Sequence, residues 1–260
     1  MTDPRALITG ASAGLGAEFA RQLAAKGIDL ILIARRIEPM KKLADELADK
    51  YNVEIDVLQA DLSEPAATGK LFAEVSEKGL QVDYLINNAG SVGPDLLRDR
   101  DWPAQQRYIE LMMTSVAGMC HHFIPPMQAR GFGRVLNVAS VAGHVSLTGD
   151  TSYGPTKAYL IALSKNLSAT VRASGVNVLA LCPGFTHTDF HQSEELTRMK
   201  KKSPDFIWYD ADVVIREGLN ALEAGKAVYI SGRLYRFATP VLRSRLGAWL
   251  MARMGVERDY

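Results

Sequence analysis

The stretch TGASAGLG, Thr9 to Gly16, sets three glycines within eight residues and narrows the folds open to this chain. It directly follows the apolar run ALITG (6–10) and leads into GAEFARQLAAKG, where apolar residues recur at three- and four-residue spacing. That spacing predicts an amphipathic helix. A strand that turns through Gly10, Gly14 and Gly16 into a helix can bring its backbone close to a pyrophosphate, whose charge the helix N-terminus stabilises. A tight turn alone would use the same glycines, so the rest of the chain must separate the two readings.

Six further apolar runs follow: DLILIAR (29–35), EIDVLQAD (54–61), DYLINNAG (83–90), RVLNVAS (134–140), VNVLALCPG (176–184) and AVYI (227–230). They are rich in Val, Ile and Leu and lack clean alternation, which suits strands buried on both faces of a parallel sheet. Between them lie helical patterns such as KKLADELADKY. Strand alternating with helix predicts right-handed crossovers and an α/β, doubly wound sheet. No break in composition divides the 260 residues, so the chain reads as a single domain, 1–260.

A formal net charge of +1 gives no global signal for nucleic acid. The two cysteines, Cys120 and Cys182, make no disulfide framework and fit a reducing compartment. MTDPRALITG lacks the basic end and apolar core of a signal peptide, and no apolar run has bilayer-spanning length. The expected location is the cytoplasm.

The glycine pattern is T-G-x-x-x-G-x-G. Ser140 closes NVAS, and thirteen residues later comes Tyr153-x-x-x-Lys157, in SYGPTKAYL. On a helix Tyr153 and Lys157 share a face. Pro155 is tolerated in the first turn, where its missing N–H matters little. Over roughly residues 5–232 these motifs resemble the short-chain dehydrogenase/reductase family, classical type. The resemblance implies a three-layer Rossmann-type domain of about seven parallel strands, combining dinucleotide binding and catalysis.

The resemblance also implies a cofactor site. Gly10, Ser12, Ala13, Gly14, Leu15 and Gly16 would line the pyrophosphate, and Asp61 and Leu62 the adenine. Asn87 to Gly90, including Asn88, Ala89 and Gly90, would pass beside the ribose. Pro183, Gly184, Thr186 and Thr188 would hold the nicotinamide carboxamide and phosphates. In this family an acid at the end of the second strand selects NAD by binding the ribose 2′-hydroxyl. Here Ala34 stands in its place, followed by Arg35 and Arg36. Guanidinium matches phosphate geometry, so NADP(H) is expected over NAD(H). Ala13 departs from the basic residue that some NADP users carry in the glycine turn, and both arginines could instead be solvated.

The resemblance gives the catalytic roles. A free tyrosine has a pKa of about 10, too high for easy proton exchange near neutrality. The Lys157 ammonium would favour phenolate and also bind the nicotinamide ribose hydroxyls. Ser140 would hydrogen-bond the substrate oxygen. Tyr153 would be general acid in ketone reduction and general base in alcohol oxidation. The expected substrate is a small-molecule carbonyl or alcohol compound, with a hydrophobic or acyl carbonyl favoured by the apolar residues of the segment 186–209. Family members commonly carry an asparagine in the central helix, whose backbone carbonyl supports a water chain to the lysine. Ser115 aligns there, three residues before Gly118, with Thr114 the weaker alternative.

Residues 186–209 fall where the family has a substrate lid, with Phe190, Phe206, Ile207 and Trp208 as its apolar contacts; simple covering of the core is an equal alternative. Residues 233–260 form a basic amphipathic C-terminal extension, with arginines at 233, 236, 243, 245, 253 and 258 and with Leu242, Leu246, Trp249 and Leu250 at helical spacing. Such a helix packs on the surface or in an oligomer, or lies on an anionic membrane. The family resemblance also implies a homodimer or homotetramer. His121 and His122 should point apart on a helix, and His187 and His191 lack a metal motif, so no metal is expected. His144 is either a loop residue or a substrate contact.

Overall fold

The computed structural model describes residues 4–146, 149–187 and 204–242. Seven parallel strands form one sheet: β1 (Arg5–Thr9), β2 (Asp29–Ala34), β3 (Ile55–Gln59), β4 (Tyr84–Asn87), β5 (Gly133–Val138), β6 (Val176–Cys182) and β9 (Val228–Ile230), in the order β3-β2-β1-β4-β5-β6-β9. The order reverses between β1 and β4, which opens a crevice at the carboxyl ends of the strands. A separate two-stranded sheet, which the sequence pattern did not foretell, pairs β7 (Thr186–His187) with β8 (Tyr209–Asp210).

Helices cover both faces. Against one lie α1 (Gly14–Ala24), α2 (Ile37–Tyr51) and α7 (Ala211–Glu223), packing Phe19, Leu23, Met40, Leu47, Ile215 and Leu222 onto Ile8, Leu32 and Leu181. Against the other lie α3 (Ala67–Glu77), α5 (Ser115–Arg130) and α6 (Tyr153–Val171), packing Leu71, Phe123 and Leu160 onto Leu7, Ile33 and Val178. Neighbours in a strand thus face opposite cores that are both apolar, which explains the missing alternation. Among the described residues two further α-helices are α4 (Trp102–Ile109), continuous with a π-helical turn (Glu110–Thr114) and α5, and α8 (Arg233–Leu242).

The strands end earlier than their apolar runs. β4 stops at Asn87, β5 at Val138 and β6 at Cys182, so Asn88–Gly90, Ala139–Ser140 and Pro183–Gly184 lie beyond the ladder. Past β5 the Ala139 and Val141 N–H groups still bond the carbonyls of Leu181 (2.7 Å) and Pro183 (3.0 Å), which holds the ends of β5 and β6 together.

Candidate functional site

The turn after β1 is built by close packing. Gly10 and Gly14 adopt φ of 68° and 57°, a region costly for other residues. A Cβ on Gly16 would lie 2.2 Å from the Gly10 carbonyl oxygen. Asn88 Nδ2 donates to the carbonyls of Thr9 (3.0 Å) and Gly10 (3.3 Å), while Thr9 Oγ1 accepts from the N–H groups of Asn88 and Ala89, each at 3.0 Å. Asn88 and Ala89 therefore clamp the turn to the end of β4. Ala13 is extended at the start of α1; no side chain caps this end, and its first turn holds no acid. N–H groups at such an end suit an anionic partner, so these residues fit a cofactor pyrophosphate. Ser12 and Leu15 flank the turn, both partly accessible.

The two arginines after β2 divide their work. Arg36 Nη2 donates to Ser12 Oγ at 3.2 Å, which sets a guanidinium against the glycine turn. Arg35, 72% exposed, lies 3.9 Å from the Asp61 carboxylate. Burial works to raise the Asp61 pKa, but hydrogen bonds from the Ser63 hydroxyl and N–H, and then Arg35, outweigh it and leave it below its ordinary value. The Leu62 side chain is buried in the core.

The catalytic candidates sit where β5 and α6 meet. Ser140 caps a short 3₁₀ turn (Val141–His144), its Oγ accepting from the Ala142 N–H at 3.1 Å. One lone pair is thereby used and the O–H remains a donor. The Val141 N–H bonds the Pro183 carbonyl at 3.0 Å and ties this turn to the end of β6. α6 begins at Tyr153, so Pro155 falls in its first turn. Lys157 is buried; its Nζ donates to the Val138 carbonyl at 2.8 Å and lies 5.5 Å from the centre of the Tyr153 ring. Burial lowers the Lys157 pKa to about 8, with the nearby Cys182 opposing that shift. Burial pushes the Cys182 thiol up to about 12, and Cys120 likewise. Both cysteines are free thiols.

Ser115 is buried and donates through Oγ to the Leu111 carbonyl at 2.7 Å, bonding back across the π-helical turn that precedes it. Such widened turns often mark functional positions. Thr114 is exposed.

Beyond β6, Pro183 is buried, and the hydroxyl of the buried Thr186 donates to the Gly184 carbonyl at 3.1 Å. Gly90 is exposed, with Met112 Sδ 3.2 Å from where its Cβ would be. Thr188, Phe190, His191, Leu246, Trp249 and Leu250 lie outside the described residues. At the return of the 186–209 segment Phe206 is 71% exposed, whereas Trp208 is buried and stacks on Phe185 (5.0 Å) and His187 (5.5 Å). The expectation that His121 and His122 diverge is corrected: their ring centres are 5.1 Å apart, and His122 stacks on Phe72. Long side chains can converge although their Cβ atoms do not. Among the described residues no group of three or more His, Cys, Asp or Glu is placed to hold a metal ion, and no helix is long and apolar enough to cross a membrane.

Several supporting contacts were not foreseen from the sequence, although Asn87 itself was named there. Asn87 Nδ2 donates to Asn137 Oδ1 (2.8 Å), and Asn137 Nδ2 to Ser164 Oγ (2.9 Å), a buried polar chain linking β4, β5 and α6 beneath the site. Its signal was legible: an asparagine inside each of two apolar runs. A Cβ on Gly143 would lie 2.6 Å from the Lys157 carbonyl carbon, so this glycine lets the turn after Ser140 press against α6. Tyr235, on α8, had no sequence signal.

A family model described as short chain dehydrogenase matches residues 4–199. The oxidoreductase UcpA of Escherichia coli (strain K12) is 34% identical over 194 residues, 74% of this chain and 73% of that protein. Among solved structures, a short-chain dehydrogenase from Sphingobium yanoikuyae in complex with NADPH is similar at a TM-score of 0.79 and 28% identity, covering 99% of this chain and 98% of that one. The bulky-bulky ketone specific alcohol dehydrogenase from Comamonas testosteroni gives a TM-score of 0.79 at 26% identity, covering 100% and 97%.

Proposed function

We propose that this chain, which belongs to the short-chain dehydrogenase family, interconverts a secondary alcohol and a ketone with NADP(H). The observation that carries this reading is the buried Lys157 ammonium, 2.8 Å from the Val138 carbonyl and 5.5 Å from the centre of the Tyr153 ring, at the strand end that also presents Ser140. When bound, the nicotinamide supplies or accepts the hydride. Ser140 donates its hydroxyl proton as a hydrogen bond to the substrate oxygen and stabilises charge developing there. Tyr153 gives its phenolic proton to that oxygen in reduction and takes it back in oxidation. Lys157, held in low dielectric, stabilises the resulting phenolate as a fixed positive charge.

NADP(H) is favoured by the two guanidinium groups at the end of β2. Arg36 against Ser12 supports the phosphate reading more directly than Arg35 beside Asp61. A hydrophobic ketone is supported by the stacked rings of Phe185 and Trp208 on the segments that follow β6 and precede β8, and by the similarity to a bulky-ketone enzyme. The test is a calorimetric titration with NADPH and NADH, followed by turnover of bulky and small ketones. Tighter NADPH binding and turnover of bulky ketones are expected. Equal binding of both cofactors would remove the arginine argument, and binding without turnover of any ketone or alcohol would point to a non-catalytic NADP-binding protein.

A second reading, contact with a membrane surface, is favoured by one observation. Leu234, Phe237 and Val241 form an exposed apolar stripe on α8, with Phe237 79% exposed, beside Arg233. Sedimentation with anionic vesicles should carry down the wild type and leave Phe237→Ser in solution; equal behaviour of the two removes this reading.

A further inference from the structure

We propose that Tyr235 is a positioning residue that sets where the strand bearing Thr186 can grip the nicotinamide half of the cofactor; this rests on the NADP(H) reading above. The side chain comes from α8, outside the familiar motifs, and its hydroxyl serves two segments at once. It accepts from the Phe185 N–H at 3.2 Å and donates to the Ile207 carbonyl at 2.8 Å. Phe185 leads into β7, and Ile207 comes just before β8, so one phenol joins the chain leaving the sheet to the chain returning to it.

The surrounding contacts make that junction specific. A Cβ on Gly184 would lie 2.0 Å from the Tyr235 ring. Gly184 is not among the residues with positive φ, so what demands glycine there is the ring lying on the backbone. The Tyr209 N–H donates to the Phe185 carbonyl at 3.0 Å, and Thr186 pairs with Tyr209 across the small sheet. The Tyr209 ring lies 5.9 Å from that of Tyr235, and its hydroxyl accepts from the Leu234 N–H at 3.3 Å. α8 is itself anchored: Glu217 Oε2 accepts from Ser231 Oγ (3.0 Å), the Gly232 N–H (3.1 Å) and Arg236 (3.5 Å). Burial raises the Tyr235 pKa, so the phenol stays protonated and keeps donating to Ile207 across the neutral range.

The glycine turn at the other end of the crevice is held by Thr9, Asn88 and Ile33, none of which is bonded to Tyr235. The two halves of the cofactor should therefore respond differently to loss of the phenol. The experiment is calorimetric titration of wild type, Tyr235→Phe and Gly184→Ala with NADPH and with 2′-phospho-ADP-ribose, which lacks the nicotinamide. A single hydrogen bond is worth roughly three- to tenfold in affinity. Tyr235→Phe should weaken NADPH by about that factor while binding of the fragment stays within about twofold. Gly184→Ala, which displaces the ring from the other side, should give the same selective loss. Equal losses for both ligands, or unchanged NADPH binding in both variants, would overturn the role. Wild-type protein that binds neither ligand would sink the NADP(H) reading itself and the positioning role with it, a result distinct from a failure of Tyr235 alone.

Discussion

The two ends of the crevice are built on different principles. At the end proposed to take the adenosine, the groups offered are solvent-facing side chains: Arg35, 72% exposed, and Arg36, bonded across to Ser12. At the end proposed to take the nicotinamide they are buried, with Lys157 bonded to the Val138 carbonyl and a polar chain running from Asn87 through Asn137 to Ser164. Exposed charges attract a ligand but are screened by water and salt, so each contributes modestly. A buried charge acts strongly because the fold has already borne its desolvation. Cofactor choice should therefore reside in the exposed arginines and rate in the buried group.

The largest effect expected from this contrast is at the buried end. Tyr153→Phe should lower turnover by about 10²–10⁴-fold, in keeping with loss of a general acid, with NADPH affinity kept within a few-fold; steady-state kinetics beside a titration reads both. Comparable loss of affinity and turnover would break the division between the two ends.

Next is the desolvation of Lys157. Its pKa in the fold is about 8, against 10.5 for the free group. The folded lysine releases its proton near pH 8, while the unfolded chain still binds one until about 10.5, so the unfolded state holds more protons in that window and stability rises with pH across it. Denaturant unfolding should show wild type gaining up to about 3 kcal/mol relative to Lys157→Met between pH 7.5 and 10.5. A flat difference would mean that the ammonium is better solvated than its burial implies.

A smaller effect belongs to the exposed end. Arg36→Ala should weaken NADPH about tenfold and leave NADH nearly unchanged, with Arg35→Ala weaker in the same direction, and both losses should shrink at high salt. A larger loss in Arg35→Ala would reverse the order that the Ser12 contact suggests. The smallest is Ser115→Ala. It removes the bond to Leu111 but leaves the backbone carbonyl, so stability should fall by about 1 kcal/mol or less and turnover by under threefold. A large drop in turnover would mean that the hydroxyl itself carries protons.

The sheet, and the short motifs from which the candidate site is read, are legible along the chain. Parallel strands buried on both faces leave dense runs of Val, Ile and Leu. The glycine turn and the serine with its tyrosine–lysine pair are short patterns whose spacing follows from local geometry. Tertiary structure decided what depends on contacts between distant segments. It distinguished Arg36 from Arg35, because their difference lies in which loop each guanidinium reaches. It explained Gly143 and Gly184, whose need for glycine comes from α6 and from a tyrosine on α8. It also found the small β7–β8 sheet and Tyr235, since two-residue strands and a single bridging phenol have no periodicity along the chain. Local chemistry is written in neighbouring residues, whereas burial and bridging arise only when separate elements pack together.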